Sequence, residues 1–282
     1  MTITSIYKPE KTYIKTYVAY IYKTKMKLDC VLTAVNENPL YLEFIPIFIK
    51  TWNKLYPGID VKIILISKAI PEEYKIYADN IILFEPIDNV LTSFTSQFIR
   101  LLYPCLFNYE NGVLITDMDI LPMNNTYYTE YIKKYDNSKF IYYREDHCFI
   151  YKQLAMCYNV ATPKVWKEIF EIDTIDDIRD MLVNVSRNNI IEEGHGKTGW
   201  FIDQITLYKK VMEWNNKTNN LICLKEAETK FNRLDRNTFT ITYEIQKAIH
   251  EGAFTDYHCY RPMSDYRDLN NHIYDLLPAS LP

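Results

Sequence analysis

Glycine is scarce in this sequence, at 6 of 282 residues, and no tract of a single residue type interrupts it. Hydrophobic residues make up 48% and charged residues 24%, a balance that argues for a folded globule and against disorder. No apolar run approaches the roughly 20 residues that a membrane span requires. We therefore expect no transmembrane segment and no signal peptide.

A basic excess is also missing, because 32 Lys and Arg face 36 Asp and Glu. Domains that bind nucleic acid usually carry a basic face, so we expect no nucleic-acid partner. The six cysteines lack CxxC or any other metal-ligand spacing, which favours free buried thiols. Free thiols and no secretory signal predict a cytoplasmic location. The 25 tyrosines are expected mostly as half-buried packing residues with solvated hydroxyls.

What the sequence does contain is an alternation of strand-like and helix-like segments. Residues 1–27 have no clear period and are predicted to form an extension before a single domain at 28–282. Short apolar runs predict strands at 30–35, 61–66, 81–84 and 113–116. Helices are predicted between them at 40–55, 71–77 and 93–107, the last capped by Ser93. Such alternation predicts an α/β fold with a parallel sheet. Further strands are predicted at 140–143 and 155–158, and helices at 163–170, 175–185 and 200–214.

Two aspartates, Asp117 and Asp119, follow the predicted strand at 113–116. Open α/β sheets place their ligand sites at the carboxyl ends of strands. Two aspartates separated by one residue can offer hard oxygen ligands to Mg²⁺ or Mn²⁺, and the ion can then bind a diphosphate. The structural alternative is that both side chains simply end a strand and are hydrated.

The hydrophobic strand, Asp117-Met118-Asp119 and the following Ile120-Leu121-Pro122 together resemble the DXD segment of GT-A glycosyltransferases. The preceding helix resembles theirs as well, since it carries Arg100 and ends in Tyr103-Pro104. The resemblance implies a Rossmann-like GT-A fold with a mixed, mostly parallel central sheet flanked by helices. It also implies metal-dependent transfer, with Mn²⁺ or Mg²⁺, from a nucleoside-diphosphate sugar, UDP being favoured, to a hydroxyl of a glycan or glycoprotein acceptor.

The same resemblance assigns site residues. It implies Asp117 and Asp119 as metal ligands, with His258 as a third, since neutral imidazole suits Mn²⁺ better than Mg²⁺. A packed histidine is the equal alternative for His258. Arg261 would neutralise the diphosphate. Besides Arg261, the implied contacts to the donor are Thr33, Ala34, Val35, Asn36, Arg100, Thr116, Asp117, Met118, Asp119 and Asn159. Lys225, Arg233 and Arg236 are further candidates for the phosphate side, unless they are merely solvated.

Half of the glycines, Gly194, Gly196 and Gly199, fall within six residues shortly before Asp203. Such clustering indicates a mobile or tightly turned backbone. In GT-A enzymes an acidic residue after a flexible loop often faces the acceptor, so the resemblance implies Asp203 as the catalytic residue. It would be the general base if the enzyme inverts, and would orient the donor or intermediate if it retains. The alternative is a helix N-cap.

Three other classes compete with this interpretation. Phosphohydrolases similar to haloacid dehalogenases also place a nucleophile in a strand-DXD motif, but they usually carry Thr or Val where this chain has Leu121, and their motif usually begins the domain. A P-loop ending at Gly196-Lys197-Thr198 is excluded, because the motif requires its first glycine at position 191, where this chain has Ile191. A non-catalytic protein that binds sugar nucleotides with the same fold remains open.

Overall fold

A computed structural model describes residues 25–278 of the chain, and its strands and helices alternate through the first half. The strands are Leu28–Asn36 (β1), Asp60–Ile66 (β2), Ile81–Phe84 (β3), Gly112–Ile115 (β4), Ile120–Pro122 (β5), Phe140–Tyr142 (β6), Asn159–Ala161 (β7), Leu221–Cys223 (β8), Arg233–Asp235 (β9) and Asp256–His258 (β10). The α-helices are Pro39–Leu42 (α1), Ile45–Leu55 (α2), Thr92–Leu102 (α3), Tyr127–Glu130 (α4), Glu145–Tyr151 (α5), Pro163–Phe170 (α6), Ile175–Asn188 (α7), Ile202–Thr218 (α8), Glu226–Thr229 (α9), Tyr243–His250 (α10) and Met263–Leu276 (α11). Segments of 3₁₀ helix are Glu72–Asn80, Tyr103–Leu106 and Met156–Tyr158.

Seven strands form the main sheet in the order β3-β2-β1-β4-β7-β6-β8. The pairs β2–β3, β1–β2, β1–β4 and β6–β8 are parallel, whereas β7 runs antiparallel to both β4 and β6. The predicted α/β class with a mixed, mostly parallel sheet is therefore confirmed. Helix α3 packs on β1 and β2, and α2 packs on β2.

The central strands are buried because their sequences are almost continuously apolar, as parallel strands covered by helices require. Every residue of β4 is buried, and Gly112 opens it where a Cβ atom would lie 2.7 Å from Val160 Cγ2. On α6, Trp166 is fully buried and its indole N–H donates to the Val113 carbonyl at 3.3 Å. This packing fixes the strand that leads into the two aspartates.

A second sheet of three strands, in the order β5-β10-β9, lies next to the aspartate motif in sequence and in space. Strand β10 pairs antiparallel with β5, so that His258 stands opposite Ile120. It pairs parallel with β9, so that His258 also stands opposite Asp235. The sequence predicts no strands in the irregular C-terminal region, yet β9 and β10 from that region form a sheet with β5, which directly follows Asp119.

Several predicted boundaries are wrong. The strand predicted at 155–158 is a 3₁₀ turn, and the strand β7 follows it. The helix predicted at 40–55 is two helices, because Asn38 caps α1 and the chain restarts at Ile45 beside Pro46. Ser93 does not cap α3, which has Leu91 at its N-cap.

Many tyrosines are buried more deeply than composition alone suggests. Tyr143 and Tyr257 are almost inaccessible, and their hydroxyls donate to the Tyr128 carbonyl at 2.8 Å and to Asn270 Oδ1 at 2.6 Å. Solvated hydroxyls are therefore the wrong expectation for these residues. All six cysteines are free thiols, as predicted.

Most of the predicted extension, residues 1–24, lies outside the described residues. Of the part described, Met26 is fully buried and its N–H donates to the Tyr135 carbonyl at 2.8 Å. The division of the chain at residue 28 stays a prediction. Between residues 25 and 278, none of the helices has the length and apolar character that crossing a bilayer demands.

Candidate functional site

A cleft of about 270 Å³ lies where the strand order of the main sheet reverses. Strands β2 and β3 follow β1 on one side, and β4 begins the other side, so the loops after β1 and β4 diverge. Such a crevice beyond the carboxyl ends of parallel strands is where open α/β sheets bind ligands. The end of β1 supplies Ala34, Val35 and Asn36 to the cleft, and the loop after β4 and the first residue of β5 supply residues 117–120.

Asp119 is the most heavily contacted acid in the cleft, and it is only 4% exposed. Its Oδ2 lies 3.0 Å from Arg236 Nη1, 3.3 Å from Arg261 Nη1 and 3.4 Å from His258 Nε2. Burial alone would raise the pKa of this carboxyl, but the hydrogen bond and charge of His258 and the two guanidinium charges hold it below its ordinary value. Asp119 is therefore an anion throughout the neutral range.

His258 is oriented from behind by Asp235, which the sequence does not single out. Its Nδ1 lies 2.9 Å from Asp235 Oδ2, and the other oxygen of Asp235 accepts from both the backbone and side-chain N–H groups of Asn237 at 2.9 Å. A carboxylate on one ring nitrogen fixes the orientation of the imidazole. The other ring nitrogen, Nε2, faces Asp119.

Asp117 faces a different set of partners. Its Oδ1 accepts from Arg100 Nη1, and its Oδ2 accepts from the Cys157 thiol at 2.8 Å. Burial, together with the charge of Asp117, raises the pKa of that thiol well above its ordinary value, so it stays a donor. In the described part of the chain, no three His, Cys, Asp or Glu side chains form a group that could hold a metal ion. Of the three predicted ligands, Asp119 and His258 are in contact, whereas the hydrogen bonds of Asp117 come from Arg100 and Cys157.

Asp203 lies on the other side of Arg100 from Asp117. It is 3% exposed, its Oδ2 lies 3.6 Å from Arg100 Nη2, and its Oδ1 accepts from the Gln204 N–H at 2.8 Å. Burial raises the pKa of Asp203 to about 7, although the Arg100 charge opposes the rise. Helix α8 begins at Ile202 with Phe201 at the N-cap, so the interpretation of Asp203 as the cap is wrong.

The glycine-rich segment between α7 and α8 forms one wall of the cleft through Ile191, Glu192, Gly194, His195 and Trp200. The glycines at 194, 196 and 199 all have positive φ, as the clustering predicts. A Cβ atom at position 199 would lie 2.9 Å from the carbonyl oxygen of residue 190. The turn is closed by the side chain of residue 192, which accepts from the hydroxyl of residue 198 at 2.7 Å.

Most of the predicted site residues line this cleft, and a few do not. Those that line it are Ala34, Val35, Asn36, Arg100, Asp117, Met118, Asp119, Asp203, His258 and Arg261, together with Arg233 and Arg236. Thr33, Thr116 and Asn159 are fully buried and are not among the lining residues. Asn159 donates to the Ala155 carbonyl at 2.7 Å, and the Thr116 carbonyl accepts from Arg100 at 2.8 Å. Lys225 is exposed and does not line the cleft.

Three contributors lack any signal in the sequence strong enough to predict them: Asp235, Cys157 and Tyr41. Tyr41 lies in the cleft, where its hydroxyl accepts from Arg261 Nη1 and its ring lies 4.8 Å from that guanidinium. Each acts through a partner more than 20 residues away along the chain. Only the folded arrangement reveals such partnerships.

No model of a known protein family matches the sequence, and no curated protein matches it. Its structure is similar to that of the galactosyltransferase LgtC, solved with donor and acceptor sugar analogues, at 11% identity over 90% of this chain and 97% of that one, with a TM-score of 0.46. It is also similar to the glycosyltransferase GlyE of Streptococcus pneumoniae, at 16% identity over 89% of this chain, with a TM-score of 0.46. A third similar structure is the bifunctional glycosyltransferase WbbM, at 11% identity over 89% of this chain, with a TM-score of 0.39.

This chain spans 60% of the GlyE chain and 52% of the WbbM chain. These matches are similarities in the course of the backbone, at identities of 16% or lower. The chemistry has to follow from the side chains of the cleft.

Proposed function

We propose that this protein transfers a sugar from a nucleoside-diphosphate sugar, a UDP-sugar being favoured, to a hydroxyl of a glycan or glycoprotein. The observation that carries the proposal is the convergence of Arg236, Arg261 and His258 on one oxygen of Asp119. It lies in a crevice beyond the ends of β1 and β4, where α/β sheets bind nucleotides.

The two arginines suit a diphosphate. Planar guanidinium groups bind phosphate oxygens through paired, charge-assisted hydrogen bonds. Arg236 and Arg261 are anchored rather than free to swing, because Arg236 Nη1 also donates to the Cys259 carbonyl at 2.6 Å and Arg261 is bonded to Tyr41. Anchored donors lose little conformational freedom when an anion arrives.

The donor set at Asp119 suits a divalent cation in part. Asp119 and His258 offer one carboxylate and one imidazole, the ligand types that Mn²⁺ accepts, and the Asp235 carboxylate on the far ring nitrogen is the supporting contact that metal-bound histidines usually have. Asp117, held by Arg100 and Cys157, is not in that set in this conformation. Asp119 and His258 would hold the ion, which when bound stabilises charge on the departing nucleoside diphosphate.

The base and ribose would lie along the end of β1. Ala34, Val35 and Asn36 border the cleft there, and the Asn36 amide is fixed by donating to Thr92 Oγ1 at 3.1 Å. The side-chain oxygen of Asn36, Oδ1, accepts from the Asn38 backbone N–H at 3.3 Å. Backbone groups at a strand end can then contact the nucleoside without side-chain rearrangement.

Asp203 has the properties required of a general base. A catalytic base works best when its pKa lies near the working pH, and burial raises the pKa of Asp203 to about 7. In the inverting case, Asp203 would take the proton of the acceptor hydroxyl while the new C–O bond forms and the bond from sugar to diphosphate breaks. In the retaining case, it would orient the donor or the intermediate. Both stereochemical outcomes are compatible with this position.

The phosphohydrolase alternative needs a carboxylate free to attack phosphorus. Both oxygens of Asp117, the first aspartate of the motif, already accept hydrogen bonds from Arg100 and Cys157. This pairing lowers the nucleophilicity of the carboxylate and favours the transferase. A protein that binds sugar nucleotides without turnover would share the entire donor site, so only a measurement of turnover separates it.

The first experiment measures thermal stabilisation by UDP and by GDP, each with and without Mn²⁺. Wild-type protein should gain stability with one nucleotide plus Mn²⁺, since ligands that bind only the folded state raise its stability. Asp119→Asn should lose that gain, whereas Asp176→Asn, an exposed aspartate on α7, should keep it. No stabilisation in the wild type, or unchanged stabilisation in Asp119→Asn, would overturn the donor site.

The second experiment screens nucleotide sugars for slow hydrolysis and identifies the products. Release of a nucleoside diphosphate supports the transferase, whereas release of inorganic phosphate from simple phosphate esters supports a phosphohydrolase. Binding without any turnover supports the non-catalytic alternative. Once an acceptor is known, Asp203→Asn should abolish transfer while donor hydrolysis persists, and unchanged transfer would remove Asp203 from the reaction.

A further inference from the structure

A second cavity, of about 500 Å³, opens next to the cleft. The two cavities share four lining residues, Asp117, Met156, Gln204 and Arg233. A molecule in the second cavity would therefore lie against the same Asp117 that borders the proposed donor site. The proposed donor contacts at Asp119, Arg236 and Arg261 do not border it.

Two arginines dominate the polar wall of this cavity. The Arg144 guanidinium lies 4.2 Å from the ring centroid of Phe231, and its Nε donates to Glu226 Oε1 at 2.8 Å. The Arg233 guanidinium lies 5.9 Å from the same ring, and its Nε donates to the fully buried Asp256 at 2.8 Å. Both cations are thus held in place through their Nε sides and through one shared aromatic ring.

The terminal N–H groups of Arg144 and the Nη1 group of Arg233 are left for a ligand. Within residues 25–278, the hydrogen bonds of Arg144 use only Nε, and those of Arg233 use Nε and Nη2. The only carboxylate on the cavity wall is Asp117, whose oxygens already accept from Arg100 and Cys157. The wall therefore has more donors than acceptors, and paired guanidinium donors match carboxylate and phosphate oxygens.

The remaining lining suits a sugar ring. Phe201 is 47% exposed, so part of its ring is accessible at the rim. Aromatic faces cover the apolar face of a saccharide, and amides such as those of Gln153 and Gln204 pair with its hydroxyls.

We propose that the second cavity binds the acceptor, and that this acceptor is a saccharide bearing a carboxylate or a phosphate that Arg144 and Arg233 recognise. The assignment of this ligand as the acceptor rests on the proposed function, since it assumes that a sugar is transferred from the neighbouring cleft. The chemical class of the ligand rests on the cavity alone. The two parts can therefore fail separately.

The test measures binding of glucuronate, glucose 6-phosphate and glucose by calorimetry at equal ionic strength. Charge-assisted hydrogen bonds to a fixed guanidinium should make at least one anionic sugar bind about tenfold or more tightly than glucose. Arg144→Gln should remove that preference, and Arg187→Gln, which changes an exposed arginine on α7, should keep it. Equal binding of all three sugars to the wild type would overturn the inference without any variant.

Arg144→Gln should still be stabilised by UDP with Mn²⁺, because Arg144 does not border the donor cleft. If the anionic preference is present but no nucleotide binds, the ligand class stands and the proposed transferase fails. If the nucleotide binds and the preference is absent, the cavity inference alone fails.

The oxyanion could instead belong to the sugar of the donor, and a further arm separates this source. UDP-glucuronate and UDP-glucose should lose affinity equally, if at all, in Arg144→Gln. A selective loss of UDP-glucuronate binding would place the anion on the donor and overturn the acceptor assignment.

Discussion

Asp203→Asn is expected to change how the stability of the protein depends on pH. In the folded protein, burial raises the pKa of Asp203 from 3.8 to about 7. Between those values the folded state binds more protons at this position than the unfolded state does. The wild-type free energy of unfolding should therefore fall as pH rises through this window, and Asn, which cannot ionise, should not show the fall.

The magnitude follows from the size of the shift. Each pKa unit corresponds to about 1.4 kcal/mol, so the whole window corresponds to about 4 kcal/mol and the portion above pH 5 to about 3 kcal/mol. Because all other titrating groups are common to both proteins, their contributions cancel in the difference. Relative to the wild type, Asp203→Asn should gain about 3 kcal/mol between about pH 5 and about pH 8.

Urea unfolding at these two pH values, without metal or nucleotide, measures the difference directly. Asp176→Asn, which replaces an exposed aspartate on α7, is measured in parallel as the matched control. A difference for Asp203→Asn that stays constant within about 0.5 kcal/mol would show that Asp203 is ionised in the folded state across this range, and the reasoning from burial would be refuted.

Three further outcomes are expected. Gly199→Ala should lower the free energy of unfolding in urea by about 1 to 3 kcal/mol, because position 199 combines a positive φ with a Cβ contact at 2.9 Å. Gly196→Ala, in the same turn with open space around it, should lower it less. Equal losses would contradict the steric argument. Asp235→Ala should weaken Mn²⁺ binding about 10- to 100-fold, measured by electron paramagnetic resonance with UDP present. Asp176→Ala should leave the Mn²⁺ affinity unchanged. An unaltered affinity for Asp235→Ala would mean that His258 is not a ligand. Cys157→Ala should lower the free energy of unfolding by about 1 kcal/mol or more, because it removes the hydrogen bond from the thiol to the Asp117 carboxylate. Cys157→Ser, which keeps a donor, should recover part of this loss. Identical values for the two variants would exclude that hydrogen bond as the cause.

The first half of the fold could be predicted because its signals are local. The runs that become β1 to β4 are apolar, short and separated by turns, and their alternation with helices determines a parallel sheet. The position of Asp117 at a strand end then follows from the topology. Strand β7 could not be placed correctly, because residues 155–161 are apolar on both sides of Asn159 and either half could form the strand. Tertiary pairing with β4 decides in favour of the second half.

The resemblance names His258 and Arg261, but the arrangement of the C-terminal half of the site could not be predicted, because it depends on register. Strand β10 lies between β5 and β9, and its register places His258 opposite Ile120 on one side and opposite Asp235 on the other. A slip of one residue in a strand turns every side chain to the opposite face. With such a slip His258 would leave both Asp119 and Asp235, although the sequence would still contain the same aspartates and histidine. The three-stranded sheet is therefore what converts two distant segments into one site, and the Asp119–His258–Asp235 arrangement is a property of its hydrogen-bonding register rather than of any motif.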